Sequence, residues 1–177
     1  KVCQAIRNQF HKDYVSLMPT NLYGSFDNFD LETSHVLPAM LRKFHEAKLN
    51  NTPVELWGSG MPMREFLFVD DLASALIMIM KEKKTTLDNL VSPMESHINI
   101  GFGADITIKD LASLIADVVG FSGHIEFDSS MPDGTPRKIL DISKLNSIGW
   151  SPQYSLKQGL VITYNDFKNK LTDTRGL

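Results

Sequence analysis

Apolar positions along the chain follow two different periods. Residues 34–47, 70–81 and 107–119 carry apolar side chains three and four positions apart, which predicts amphipathic helices. Short apolar runs of strand length lie between them, as at Val54–Trp57 and His97–Ile100. Helices that alternate with strands in this way predict an α/β chain.

The same patterns predict the remaining elements. Strands are expected at 14–18, 65–68 and 124–127, an opening helix at 1–10, and further helices at 143–148 and 155–171. The segment 85–96 is polar and contains Pro93, so we expect a loop there.

Two glycine pairs, Gly58-Ser59-Gly60 and Gly101-Phe102-Gly103, follow predicted strands. A dinucleotide fingerprint needs a third glycine at a fixed spacing, which lets backbone N–H groups approach a pyrophosphate. Neither pair has that third glycine, and no G-x-G-x-x-G occurs in the sequence. Both pairs are therefore predicted to be turns.

The amino-acid composition and net charge limit the classes of function that the chain can have. Of the 177 residues, 42% are hydrophobic and 22% are charged, which is typical of a soluble globular protein. The net charge of −3 does not favour nucleic acid or an anionic membrane as partner. The sequence has one cysteine and no apolar run long enough to span a membrane, so we expect a cytoplasmic protein without disulfides.

Several polar residues are candidates for chemistry. Pro19, Thr20, Asn21 and Leu22 follow a predicted strand, and the loops at such strand ends are where α/β sheets bind ligands. His35 lies in the first turn of a predicted helix. A histidine can exchange a proton near neutral pH, although one near a helix end is more often structural.

Aromatic and cationic side chains also recur together. Trp57 can stack on a base and Arg64 can fork onto a phosphate. The alternative is that Trp57 belongs to the core and Arg64 pairs with Glu65 or Asp70. A second cluster, Asp133-Gly134-Thr135-Pro136-Arg137-Lys138, holds two cations on a stiff loop, where surface charge is the usual explanation.

Taken together, the motifs resemble the GDP-L-fucose synthases, a family of extended short-chain dehydrogenases. Val69-Asp70-Asp71 is shared by many enzymes that act on nucleotide sugars. The following are more specific: Ser34-His35, Pro62-Met63-Arg64-Glu65-Phe66 and Asp133-Gly134-Thr135-Pro136-Arg137-Lys138. The resemblance covers nearly the whole chain.

The resemblance implies the C-terminal part of an NAD(P)-binding Rossmann fold with a smaller α/β substrate domain. Residues 1–33 would be a remnant of the cofactor domain, and 69–103 its last helix and strand. Residues 34–68 and 104–177 would form the substrate domain. The glycine-rich turn and the Tyr-x-x-x-Lys helix of the family would lie before Lys1.

The resemblance also implies the reaction and its cofactor. These enzymes epimerise two carbons of GDP-4-keto-6-deoxy-D-mannose beside its keto group and then reduce the ketone with NADPH. They are homodimers, and no metal is expected. The implied roles are a catalytic acid at His35, cofactor contacts from Pro19, Thr20, Asn21, Leu22 and His35, and substrate contacts from Asn21, Lys43, Trp57, Arg64, Asp133 and Lys138.

Among the departures from the family, one falls at a candidate site residue, and two other functions also fit the sequence. Relatives carry arginine where this chain has Lys43, and the neighbouring Arg42 is an alternative phosphate ligand.

The alternative functions are another nucleotide-sugar epimerase or dehydratase of the same family, and a GDP-sugar-binding module without catalysis. The chain alone is expected to be inactive.

Overall fold

The computed structural model describes residues 1–92 and 95–173, except for the side chains of 172 and 173. The helices within these ranges are α1 (Val2–Phe10), α2 (Val36–Asn50), α3 (Val69–Lys81), α4 (Lys84–Leu90), α5 (Ile108–Val119), α6 (Ser143–Ser147) and α7 (Leu156–Asp173). The strands are β1 (Ser16–Pro19), β2 (Asn21–Tyr23), β3 (Val54–Trp57), β4 (Met63–Phe68), β5 (His97–Ile100), β6 (Asp105–Thr107), β7 (Ile125–Asp128) and β8 (Arg137–Lys138).

The chain divides into two compact units, and each is assembled from three separate segments. The first unit contains Lys1–Leu22, Glu65–Ala104 and Ile139–Gln153, and the second contains Tyr23–Arg64, Asp105–Lys138 and Tyr154–Leu177. Each unit therefore gathers residues that are distant in sequence.

In the first unit, β1 and β5 run parallel, with Ser16 opposite His97 and Pro19 opposite Ile100. The carboxyl ends of both strands therefore lie at the same edge of the sheet. The core beside them is apolar and contains Leu67, Ala75, Ile79, Leu87, Val91, Ile98, Ile100, Leu145 and Trp150. Its burial stabilises the parallel pair, because apolar area removed from water contributes roughly 25 cal/mol per Å².

In the second unit, β3 and β7 run parallel, with Val54 opposite Ile125 and Trp57 opposite Asp128. Helix α5 packs against both α2 and α7. The residues that form this core include Leu37, Leu41, Phe44, Val54, Leu56, Leu111, Ile115 and Leu160, each at most 5% exposed. The spacing of Leu111, Ile115 and Val119 directs one face of α5 into the core, as predicted.

A third set of strands has the order β2-β4-β6, and β8 pairs with β4. Strands β4 and β8 are parallel, with Met63 opposite Arg137 and Arg64 opposite Lys138. This register places the loop before β8 next to the start of β4.

Most predicted elements are confirmed, some with shifted ends, but the loop predicted at 85–96 is wrong in its first part. Helix α4 occupies Lys84–Leu90, and Leu87 within it is 8% exposed. Two threonines with poor helix propensity conceal this short helix in the sequence, while the burial of Leu87 stabilises it. Pro93 lies outside the described residues. Strands β2 and β6, of three residues each, were not predicted.

The predicted domain segments change at residues 33, 68 and 103, whereas the compact units change at 22, 64, 104, 138 and 153. Residues 139–153 lie with the first unit because Leu145 and Trp150 belong to its core. The Trp150 indole also donates to Ser74 Oγ at 3.0 Å. The assignment of segments to a cofactor domain and a substrate domain stays a prediction.

No helix in the part of the chain that the structure describes is both long and apolar enough to cross a membrane.

Candidate functional site

A cavity of about 180 Å³ in the second unit collects three of the predicted ligand-binding residues, Trp57, Arg64 and Asp133. The rest of its lining is mainly small or apolar, namely Val36, Gly60, Pro62, Ile108, Pro132 and Gly134. An apolar cavity with a few polar groups is the usual form of a small-molecule site.

The strand pattern brings these residues together. Strand β3 buries Val54 and Leu56 and exposes alternate residues, so Trp57 at its end is 68% exposed. Gly58 and Gly60 follow at φ 82° and φ 75°, which only glycine adopts readily, and they turn the chain into β4. The predicted turn at 58–60 is therefore confirmed, and Trp57 is not part of the core.

Arg64 makes its hydrogen bonds to backbone carbonyls. Its Nη1 donates to Thr135 O at 2.6 Å and to Met63 O at 2.7 Å. The Met63 amide donates in turn to Pro136 O at 2.8 Å. The alternative of an ion pair with Glu65 is not observed, and the guanidinium instead borders the cavity.

Asp133 also borders the cavity, but its carboxylate is engaged within the protein. Its Oδ1 accepts from the Ser59 amide at 2.8 Å, and its Oδ2 accepts from the Ser59 hydroxyl at 2.6 Å. These bonds, that from the hydroxyl first, hold the pKa of the Asp133 carboxyl below its ordinary value.

The other three predicted residues of the second unit lie outside the lining of this cavity, namely His35, Lys43 and Lys138. His35 is exposed at the N-terminus of α2, where its carbonyl accepts from the Ala39 amide, and the next residue, Val36, lines the cavity. Lys43 Nζ donates to Glu55 O at 3.3 Å. Lys138 is exposed on β8, opposite Arg64 in register.

Arg42, the alternative to Lys43, faces a different cavity of the second unit. That cavity is also lined by Phe29, His45 and Phe167. Arg42 Nε donates to Glu46 Oε1 at 2.7 Å and Nη1 donates to Phe29 O at 3.2 Å. Its guanidinium is therefore held away from Trp57 and Arg64.

The predicted cofactor residues of the first unit lie at the carboxyl edge of its parallel strands. Pro19 ends β1, and the Thr20 amide donates to Ile100 O at 3.0 Å. Thr20 Oγ1 and Asn21 Nδ2 both donate to Glu65 O, at 3.3 and 2.8 Å. Leu22 packs partly against the core. Such an edge is the ligand-binding position of parallel α/β sheets.

Glu65 was not predicted to matter beyond a possible pair with Arg64. It is fully buried, and its carboxylate accepts from the Gly103 amide at 2.7 Å and the Leu140 amide at 3.0 Å. Gly101 leaves room for it, because a Cβ there would lie 2.4 Å from Glu65 Oε1. The signal in the sequence is a carboxylate immediately before the apolar run Phe66-Leu67-Phe68.

No group of three or more His, Cys, Asp or Glu residues in the described ranges is arranged to hold a metal ion.

The comparisons with known proteins give the family. Residues 1–101 match the model of the NAD dependent epimerase/dehydratase family. The chain is 52% identical over 178 aligned residues to the GDP-L-fucose synthase of Escherichia coli strain K12, an alignment that covers 99% of the chain and 55% of that protein. The chain thus spans about half the length of this relative.

Two solved structures are also similar. A GDP-D-glycero-L-gluco-heptose synthase from Campylobacter jejuni, solved in the presence of NADPH, has a TM-score of 0.83 and 34% identity, covering 94% of this chain and 56% of that one. A GDP-L-fucose synthetase from Naegleria fowleri bound to NADP has a TM-score of 0.77 and 30% identity, covering 89% and 47%. Since the family model matches more than half of its residues, the chain belongs to the NAD dependent epimerase/dehydratase family.

Proposed function

We propose that this chain supplies the GDP-sugar-binding part of an NADPH-dependent epimerase-reductase that makes GDP-L-fucose from GDP-4-keto-6-deoxy-D-mannose. The observation that carries the proposal is the cavity of the second unit, where Trp57 and Arg64 lie together. The identity to the E. coli GDP-L-fucose synthase supports the choice of substrate.

The chemistry of the cavity fits a nucleoside diphosphate. Trp57 exposes a flat aromatic face, and a purine base would stack on it. The backbone bonds of Arg64 use Nη1, so a fork onto phosphate oxygens would come from Nε and Nη2. Lys138, beside Arg64 in register, and Lys43 would add positive charge near the diphosphate.

His35 is proposed as the acid that returns a proton to the sugar during epimerisation. A proton beside a carbonyl becomes removable when the developing enolate is stabilised, and inversion then needs an acid on the opposite face. Histidine suits this role because its ordinary pKa lies near neutrality. Asn21 would contact the sugar.

NADPH would supply the hydride for the reduction. The 177 residues contain no glycine-rich phosphate loop, so these residues fit the nicotinamide end of the cofactor and not its pyrophosphate. Pro19, Thr20, Asn21 and Leu22, at the carboxyl edge of the parallel strands, would border that end, together with His35. We further propose that the protein acts as a cytoplasmic homodimer.

Titration of the full-length protein with GDP tests the proposal. Binding of the base at Trp57 quenches the fluorescence of this exposed indole, whereas Trp150 is 6% exposed and reports little. Arg64→Ala removes a charge-assisted fork worth roughly 1.5–3 kcal/mol, so Kd for GDP is expected to rise about tenfold to a hundredfold. Calorimetry checks the constants.

Arg42→Ala is the matched control, because Arg42 faces the other cavity. It should leave Kd for GDP unchanged. Equal losses of GDP affinity in Arg64→Ala and Arg42→Ala would contradict the proposed binding site. Equal affinity of the wild type for GDP, UDP and dTDP would contradict the choice of a GDP-sugar. Binding of GDP-sugar without NADPH oxidation would favour a binding module without catalysis.

A further inference from the structure

Glu65 is a fully buried carboxylate in the first unit, and the proposed reaction does not use it. A carboxylate loses its hydration on burial, so it persists inside a protein where hydrogen-bond donors replace the lost water. The donors here are two backbone amides, that of Gly103 to Oε1 at 2.7 Å and that of Leu140 to Oε2 at 3.0 Å. Both carboxylate oxygens of Glu65 are therefore held, by the segments that follow β5 and β8.

The backbone of Glu65 lies beside the carboxyl end of β1. Its carbonyl accepts from Thr20 Oγ1 at 3.3 Å and from Asn21 Nδ2 at 2.8 Å. The Thr20 amide donates to Ile100 O at 3.0 Å, and Thr20 is buried. One carbonyl thus orients both polar side chains that follow β1, and the held side chain of the same residue fixes the position of that carbonyl.

The glycine pair Gly101-Phe102-Gly103 gives this carboxylate its space and one of its donors. A Cβ on Gly101 would lie 2.4 Å from Glu65 Oε1. Gly103, whose amide donates to the same oxygen, is at φ 83°, and a Cβ there would lie 2.7 Å from Ile142 Cδ1. Both glycines are therefore required where they stand. The anion beside this glycine pair is the protein's own carboxylate.

We infer that Glu65 is a positioning residue for the cofactor, which holds Thr20 and Asn21 in the orientation that the nicotinamide end of NADPH requires. The inference rests on the proposed function for the identity of the cofactor. Because the Glu65 side chain is fully buried, it acts through the residues that it holds. A role in stability alone makes a different prediction, because partial unfolding lowers the amount of competent protein and leaves the Kd of the folded remainder unchanged.

Glu65→Gln in the full-length protein tests the inference. The amide replaces one acceptor by a donor, so one of the two backbone amides loses its partner. Kd for NADPH, measured by calorimetry on the folded protein, should rise about three- to tenfold, the effect of one hydrogen bond. Kd for GDP should stay near that of the wild type, because the hydrogen bonds of Arg64 go to Met63 and Thr135. An unchanged Kd for NADPH, or equal rises for both ligands, would overturn the inference.

Gly101→Ala disturbs the same contact and leaves the carboxylate in place. Its Cβ would displace Glu65 Oε1, so Kd for NADPH should again rise about three- to tenfold. Gly123→Ala is the matched control, because its Cβ would also meet a side chain, Phe121 Cζ at 2.6 Å, but in the second unit. Neither glycine has a positive φ, so alanine strains neither backbone. An unchanged Kd in Gly101→Ala, or an equal rise in Gly123→Ala, would overturn the inference.

Hydrogen exchange of the cofactor-free protein reports on the positioning without NADPH. Peptides that cover 17–22 should exchange several-fold faster in Glu65→Gln and Gly101→Ala than in the wild type and Gly123→Ala. Unchanged exchange at 17–22, or an equal acceleration throughout the chain, would overturn the inference. A wild-type protein that binds no NADPH would contradict the proposed function, and the exchange at 17–22 would still decide whether Glu65 holds these residues.

Discussion

Glu65 carries a carboxylate into the interior of the first unit, where solvent does not reach it. Its two backbone donors, the amides of Gly103 and Leu140, come from segments far apart in sequence. Its own carbonyl accepts from Thr20 and Asn21. The hydrogen bonds of Glu65 thus connect the ends of three chain segments. Two of the proposed cofactor residues, Thr20 and Asn21, are held by bonds to its carbonyl.

Glu65→Gln tests this role. An amide group replaces one acceptor by a donor, so one of the two backbone N–H groups loses its partner at a cost of about 1–3 kcal/mol. We expect the free energy of unfolding in urea to fall by that amount. Glu55→Gln is the control, because Glu55 is exposed on β3. A Glu65→Gln protein as stable as the control would contradict the role.

At the residue scale, the sequence predicted which side chains are candidates but not how they are used. Trp57 and Arg64 border one cavity, as a stacking and forking pair requires. Asp133 was predicted as a ligand contact, and its bonds to Ser59 could not be foreseen because 74 residues separate the two. Lys43 and Lys138 as substrate contacts and His35 as catalytic acid remain predictions.

Among the secondary-structure elements, helix α5 shows most clearly how neighbouring residues determine where a helix begins and ends. Thr107 caps its N-terminus by accepting from the Asp110 amide at 3.0 Å, and its hydroxyl donates to Asp110 Oδ2 at 2.7 Å. Gly120 ends the helix at φ 72°. Both ends agree with the helix predicted over 107–119, because caps and stops act within a single turn.

Thr107→Ala should lower the free energy of unfolding by about 1 kcal/mol, because the Asp110 amide loses its partner. Thermal and urea melts would measure the change. Thr107→Ser keeps the hydroxyl and should retain most of the stability. If the two variants are equally destabilised, the cap is not the cause.

Elements with weak local signals were the ones that the sequence did not predict. Helix α4 is short and contains two threonines, and the tertiary burial of Leu87 contributes to its stability. Strands β2 and β6 have three residues each, too few to establish a period. These elements depend on partners distant in sequence, which residue spacing does not reveal.

At the scale of the whole molecule, the chain interleaves two units, each drawn from three segments. The family resemblance implied an interleaved order of cofactor and substrate segments, although the implied boundaries differ from those of the units. Helix α1 has no buried residue in this structure, and Val2 and Phe10 on it are 73% and 59% exposed.

The most direct test of the account follows NADPH oxidation and product formation by the full-length protein with GDP-4-keto-6-deoxy-D-mannose. The wild type should oxidise NADPH, form GDP-L-fucose and incorporate solvent deuterium at the carbons beside the ketone. His35→Gln should lose the inversion at these carbons, and with it the formation of GDP-L-fucose, and bind GDP nearly as well as the wild type. No NADPH oxidation by the wild type, or equal loss of GDP binding and epimerisation in His35→Gln, would contradict the account.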